Sequence, residues 1–109
     1  MVKIVNIIES PRKGKRLRAL VLKNDEYGNI IHQNVDFGLK NPKFGTYIDH
    51  GDKKKRLNWW NRHYGNAREK ELIDNMTMSP ALLSAYILWG DSTDLNENIN
   101  YLNSFLKNL

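Results

Sequence analysis

The stretch KRLRALVLKNDEYGNIIHQNVDFG, residues 15–38, decides the fold class. Its first third alternates, with Leu17, Ala19 and Val21 on one face and Arg16, Arg18, Leu20 and Leu22 on the other. Such period-two patterning marks a strand with one buried face. NDEYGN follows as a turn of Asn, Asp and Gly, residue types that tolerate or stabilise tight backbone reversals. NIIHQNVDFG then reads as the returning strand, so the segment is an antiparallel hairpin.

Working outward, VKIVNII at residues 2–8 is rich in β-branched side chains and reads as a further strand. SPRKGKR, residues 10–16, joins it to the hairpin as a basic loop containing Pro11 and Gly14. On the other side, residues 37–52 (FGLKNPKFGTYIDHGD) hold three glycines and Pro42 and read as a loop. The chain then turns helical. Asp49 or Asp52 can cap a helix running to about Tyr64, where Gly65 stops it. NAREKELIDN adds a turn or two. SPALLSAYILWG offers Ser79 as N-cap, Pro80 at the first helical position and Gly90 at the end; it is apolar nearly all round, as a buried helix is. Leu95, Ile99, Leu102, Leu106 and Leu109 recur at steps of three and four, an amphipathic helix. Its asparagines, Asn96, Asn98, Asn100, Asn103 and Asn108, are expected on a polar outer face. The expectation is an α+β fold in a single domain, 1–109: residues 1–38 mainly β, forming a small antiparallel sheet of an N-terminal strand plus hairpin, and 49–109 mainly α, with about three helices packed on it.

Composition limits the function classes. A 109-residue chain supports one modest core, and 40% hydrophobic residues with 11 aromatics exclude a disordered one. The absence of cysteine excludes disulfides and thiolate metal sites and fits a reducing compartment. The first eleven residues are too short in apolar run and too β-branched for a secretory signal. No run approaches the ~20 apolar residues of a membrane span, so a soluble chain is expected. Charge is unevenly placed. Residues 1–64 carry 14 Lys/Arg against 6 Asp/Glu, and residues 65–109 carry 3 against 6. A basic front half points to an acidic partner: nucleic acid, anionic lipid or an acidic protein patch.

The candidate contact residues lie in two basic clusters. Arg12, Lys13, Lys15, Arg16 and Arg18 occupy the first loop and strand. DHGDKKKRLNWWNRHYG, residues 49–65, holds Lys53, Lys54, Lys55, Arg56, Trp59 and Arg62. At about 100° per residue, Leu57, Trp60 and Tyr64 form the natural core stripe of that helix. Trp59 lies outside it, and either packs against a second element, such as the 40–48 loop, or meets a partner. A basic run in a helix's first turn opposes the helix dipole by a few tenths of a kcal/mol, which slightly favours a partner for it.

Catalytic signals are weak. DFG at 36–38 stands without the Gly-rich loop, lysine and catalytic loop of a kinase, and reads as a strand end followed by a turn. His50, Asp49, Asp52 and His63 match no strong metal spacing. There is no Walker loop or GxSxG, and Glu69 and Glu71 read as solvated. The expectation is a non-enzymatic protein with no cofactor and no metal.

Several short motifs appear in order: NVDFG (34–38), YIDH (47–50), DKKKR (52–56), W-x-RHY (60–64), ILWG (87–90) and LNENI (95–99). In order and spacing the chain resembles, over about residues 34–100, a family of small uncharacterised basic proteins of nucleocytoplasmic large DNA viruses, the giant viruses. It departs from that family's pattern at Pro80–Ser84, where the family tends to have Gly-Phe-Trp-Ser, and in a longer 39–45 segment. The resemblance carries no catalytic residues. It implies a virion component, present in the host cytoplasm during assembly. One reading is a minor capsid or cementing protein contacting other virion proteins, with Trp59, Tyr47 and Phe44 as anchors. The other is a sequence-nonspecific nucleic-acid-binding protein that neutralises viral DNA with both basic clusters.

Overall fold

The computed structural model describes residues 1–108. Three strands, β1 (Val2–Glu9), β2 (Lys15–Asn24) and β3 (Ile30–Leu39), form an antiparallel meander in the order β1-β2-β3. The hairpin closes where expected. The Asp25 carboxylate accepts from the backbone N–H groups of Tyr27 (2.9 Å) and Asn29 (2.8 Å), and Gly28 takes the positive φ that the turn requires. The alternation also holds: Ala19 and Val21 are fully buried with Ile4, Val35 and Phe37, and Leu17 packs against them. The opposite face carries the ion pair of Arg18 with Asp36 (2.9 Å). Asp36 also accepts from the Ser10 hydroxyl (2.7 Å), so the Asp of DFG holds the sheet together.

The helices cover the apolar face. They are α1 (Tyr47–His50), α2 (Lys53–Tyr64), α3 (Ala67–Asp74), α4 (Pro80–Leu83), which continues into a π-helical turn (Ser84–Leu88), and α5 (Leu95–Leu106). The fold is therefore α+β as expected, with five α-helices among the described residues rather than about three. The extra elements have local causes. Thr46 and Asp49 form a capping box that starts α1 inside the expected loop, and Gly51, at φ 66°, ends it after one turn. Asp52, not Asp49, caps α2, accepting from the N–H groups of Lys54 (3.0 Å) and Lys55 (3.1 Å). Asn66 caps α3. Ser79 and Pro80 begin α4 as expected, but the helix loosens: the Trp89 N–H reaches back five residues to the Ser84 carbonyl (3.0 Å).

One apolar cluster joins the layers, with Leu82, Leu83, Ile87 and Leu88 between the sheet and Leu102 and Leu106 of α5. Leu109, the last residue of the expected α5 stripe, lies outside the described residues. Two asparagines expected on the outer face of α5 point inward instead. Asn98, only 2% exposed, donates to the carbonyls of Ile87 (2.9 Å) and Ser92 (2.8 Å) and accepts from the Ser92 N–H (3.1 Å). Asn103 exchanges two 2.9 Å hydrogen bonds with the N–H and C=O of Ile4, beside the register shift between Ile4 and Asn6. Its amide imitates a fourth strand at that edge, satisfying backbone groups that the sheet leaves open.

The expected core stripe of α2 is corrected by the structure. Leu57 is 60% exposed, Tyr64 is exposed as well, and no residue of α2 is fully buried. The helix docks instead through Trp60, whose indole N–H donates to the Trp89 carbonyl (2.8 Å), and through Arg56, whose Nε donates to the carbonyls of Trp89 (3.0 Å) and Gly90 (2.8 Å).

Replacing Asn98 with Ala strands one buried and two partly buried backbone groups, and the expected loss is about 2–4 kcal/mol of unfolding free energy. Asn100→Ala, on the exposed side of the same helix, is expected to stay within about 0.5 kcal/mol. Urea denaturation of the two variants checks the inward assignment; equal losses would overturn it.

Candidate functional site

Helix α2 carries two stripes, not one. Arg56 and Trp60 face the 87–91 turn. Lys55, Asn58, Trp59, Arg62 and His63, at steps of three, four, seven and eight, line a pocket of about 600 Å³ on the adjacent side. The pocket lies where five parts of the chain meet, His50 of α1 among them. The 38–46 segment forms one wall, with Pro42, Lys43 and Phe44. Helix α2 forms the opposite wall. Glu69 and Ile73 of α3 contribute to it, and Ala81, Ser84, Leu88 and Trp89 complete the lining.

Its aromatic framework explains Trp59. That ring stacks on Trp89 (centroids 5.4 Å apart, planes 11° apart) and on His63 (4.0 Å, 27°). Of the two roles open to Trp59, packing on a second element therefore exists, through Trp89; His63 lies on the same helix. His50 meets the other side of the cluster, edge-on to Trp89 at 5.6 Å. The π turn contributes directly, because the extra residue per turn sets where Trp89 leaves the helix.

The polar groups of the pocket are mostly donors. The His63 Nδ1 pairs with one oxygen of Glu69, so this carboxylate is partly engaged rather than wholly solvated. The His50 Nδ1 accepts from the Asp52 N–H (2.9 Å), which puts the ring proton on Nε2; that Nε2 is buried and without a partner. The indole N–H groups of Trp59 and Trp89 also have no acceptor among the described residues. Lys43, Lys55 and Arg62 have no carboxylate partner among the described residues. Phe44 is 73% exposed, with the Lys43 ammonium 5.3 Å from its ring centre.

The residues singled out in the sequence thus divide. Lys55, Trp59 and Arg62 come together at the pocket. Lys53 and Lys54 are exposed beside it at the start of α2. Arg12 and Lys13 in the β1–β2 turn and Lys15 at the start of β2 have no carboxylate partner among the described residues; the turn meets the end of β3, where the Lys40 N–H donates to the Gly14 carbonyl (3.1 Å). Three others hold the protein together and leave the expected phosphate-contacting face. Arg56 serves the 89–91 turn and pairs with Asp91 (2.8 Å), and Arg18 is tied to Asp36. Arg16 makes a two-pronged pair with Asp49 (2.6 and 2.9 Å) and also donates to the Thr46 hydroxyl (3.1 Å). The expected interface anchor Tyr47 is buried in the core. Sequence reasoning missed Trp89 and Lys43. Trp89 was hidden in an apolar run, and Lys43 in a loop without periodicity.

The Arg16 pair fastens the 46–50 segment to the sheet. Hydrogen bonding from Arg16, opposed by burial and helped by Thr46, holds the Asp49 carboxyl down at about 2; Arg18 and then Ser10 hold Asp36 at about 2 as well. Both values lie below the unfolded value of 3.8, so in acid the unfolded chain binds more protons. This stabilisation is complete above about pH 4 and is lost as pH falls toward 2. The D36N/D49N double variant should be less stable at pH 7 and should lose less stability between pH 4 and 2 than the parent. Urea midpoints across that range measure it, and parallel curves would refute the assignment.

No helix among the described residues is long and apolar enough to cross a membrane. No curated protein and no solved structure matches the chain. Residues 5–63, from β1 to the pocket-lining His63 at the end of α2, match a family of unknown function (DUF5754). That match spans just over half of the sequence, and the chain belongs to this family.

Proposed function

We propose that the protein is a non-enzymatic, sequence-nonspecific nucleic-acid-binding component of a giant-virus particle. The observation that carries the binding is a run of cations, none with a carboxylate partner among the described residues, from the β1–β2 turn to the pocket. Arg12, Lys13 and Lys15 lie beside Lys40, and Lys43 leads from there to the pocket mouth, where Lys55 and Arg62 stand on the far wall. A row of ammonium and guanidinium groups suits phosphate oxygens and releases counterions on contact. The sequence carries no recognised base-reading motif, so the binding proposed is to backbone. The virion assignment rests on the family resemblance in the sequence.

A second reading, a minor capsid or cementing protein, is favoured by one surface. Tyr27, Ile30 and Ile31 are exposed together at the hairpin tip, and large apolar groups there suit a protein neighbour. Of the anchors expected from the sequence, only Phe44 is freely exposed, since Tyr47 is buried and Trp59 is stacked within the molecule. The cationic row therefore weighs more than the anchors.

Fluorescence anisotropy with a labelled duplex, titrated over salt concentration, tests the first reading. Five to seven phosphate contacts correspond to a log–log slope of about −4.5 to −6. The R12S/K13S/K15S variant should lower the slope's magnitude by about 2–3 while leaving the melting temperature unchanged; Arg16 is left in place because it is structural. Absence of duplex binding at ~100 mM salt would sink the nucleic-acid reading.

A further inference from the structure

We propose that the Trp59–Trp89 pocket is a nucleotide site. Its apolar walls take the ring of one unpaired base, and Lys43, Lys55 and Arg62 at its mouth hold the attached phosphate. This rests on the nucleic-acid reading above and deepens it.

The pocket leaves charged groups without partners. Its lining carries three cationic side chains, Lys43, Lys55 and Arg62, with no carboxylate partner among the described residues, whereas one oxygen of its Glu69 carboxylate is engaged by His63. A ligand that completes these groups must bring acceptors and negative charge. The rest of the surface is apolar, with Leu88, Ile73, Ala81 and the aromatic cluster, so the ligand must also bring a ring or chain to cover it. About 600 Å³ falls within the range of small-molecule sites and accommodates a base with its sugar. A bare inorganic anion leaves the apolar walls open, and an uncharged ring leaves the cations unpaired. A nucleobase bearing a phosphate satisfies both. Phe44, exposed and across from α2, supplies a free ring face on which the base can lie.

The location agrees with this. The pocket mouth adjoins the cationic row through Lys43, so a strand lying along Arg12, Lys13, Lys15 and Lys40 reaches the pocket without turning back. A paired base, held in a duplex, does not enter, so the site selects unpaired nucleotides. The same chemistry occurs in a strand and in a free nucleotide.

The test uses the full chain and tryptophan fluorescence or calorimetry, with four probes: adenosine 5′-monophosphate, adenosine, inorganic phosphate, and oligothymidylate of about ten residues. The mononucleotide should bind at least about tenfold tighter than adenosine or phosphate. Phe44→Ala and the double variant K55Q/R62Q should each weaken it by about tenfold with an unchanged melting temperature; these positions are exposed, so folding is preserved. An oligomer binding at least about tenfold tighter than the mononucleotide supports the strand as the source, and equal binding supports the free nucleotide. No mononucleotide binding at about 1 mM, or phosphate binding as well as the mononucleotide, overturns the site. The R12S/K13S/K15S variant separates the two proposals. If duplex binding fails while mononucleotide binding persists in that variant and its parent, the functional reading falls and the pocket stands. If duplex binding holds its salt slope but the mononucleotide does not bind, the pocket falls alone.

Discussion

The chain reversal at Ile87–Ser92 is the constraint on which the rest of the structure depends. The helix that begins at Pro80 ends in a π turn, and its last carbonyls have no helical donors. Side chains from two other helices supply them. Asn98 of α5 takes Ile87 and Ser92, while Trp60 and Arg56 of α2 take Trp89 and Gly90. One turn thereby fixes both helices to the segment packed on the sheet. Gly90 is obligatory for steric reasons: a Cβ there would lie 2.2 Å from the Tyr86 carbonyl oxygen and 2.8 Å from Asn98 Oδ1. The backbone could not yield without parting the hydrogen bonds that hold α2 and α5.

This arrangement frees α2 from an ordinary amphipathic role. Because Arg56 and Trp60 anchor it by hydrogen bonds to a fixed turn, it needs no fully buried residue. Its neighbouring stripe is then available to line a pocket, and Trp59 occupies the boundary between the two. Stacking on Trp89 connects that stripe to the same turn, so the clamp that holds the fold also sets the pocket's aromatic wall.

Much of the fold was legible. The alternation of Leu17, Ala19 and Val21, the NDEYGN turn, the Ser79-Pro80 helix start and the Leu102/Leu106 spacing each state local rules that the structure obeys. What was not legible came from tertiary demands. Nothing in the local sequence separates Asn98 and Asn103 from Asn96 and Asn100; only the presence of open backbone groups opposite makes two of them structural. Leu57 reads as core because it is apolar and in phase with Trp60, yet the turn recruits Arg56 instead. For the site, Lys55, Trp59 and Arg62 were visible as a basic–aromatic mixture. Their common face was not, because the stripe of Lys55, Asn58, Trp59, Arg62 and His63 carries no apolar repeat and Trp59 falls outside the stripe of Trp60. Trp89, Phe44 and Lys43 reach the pocket from segments far apart in sequence, so no spacing could announce them.

The cations also sort by chemical type. Arg16, Arg18 and Arg56 sit where a planar fork of donors meets a carboxylate or backbone carbonyls in fixed geometry, which a lysine cannot reproduce. Among the described residues only Lys70 of the lysines pairs with a carboxylate. Each structural arginine is neutralised by an aspartate, Asp49, Asp36 or Asp91, and contributes little to the external field. The positive field therefore comes from the lysines together with Arg12 and Arg62. Those at 12–15, 40–43, 53–55 and 62 belong to the first loop, the segment after β3 and the α2 wall of the pocket. The formal net charge of +5 averages this end with a mildly acidic remainder, and so understates the attraction it exerts on an anionic partner.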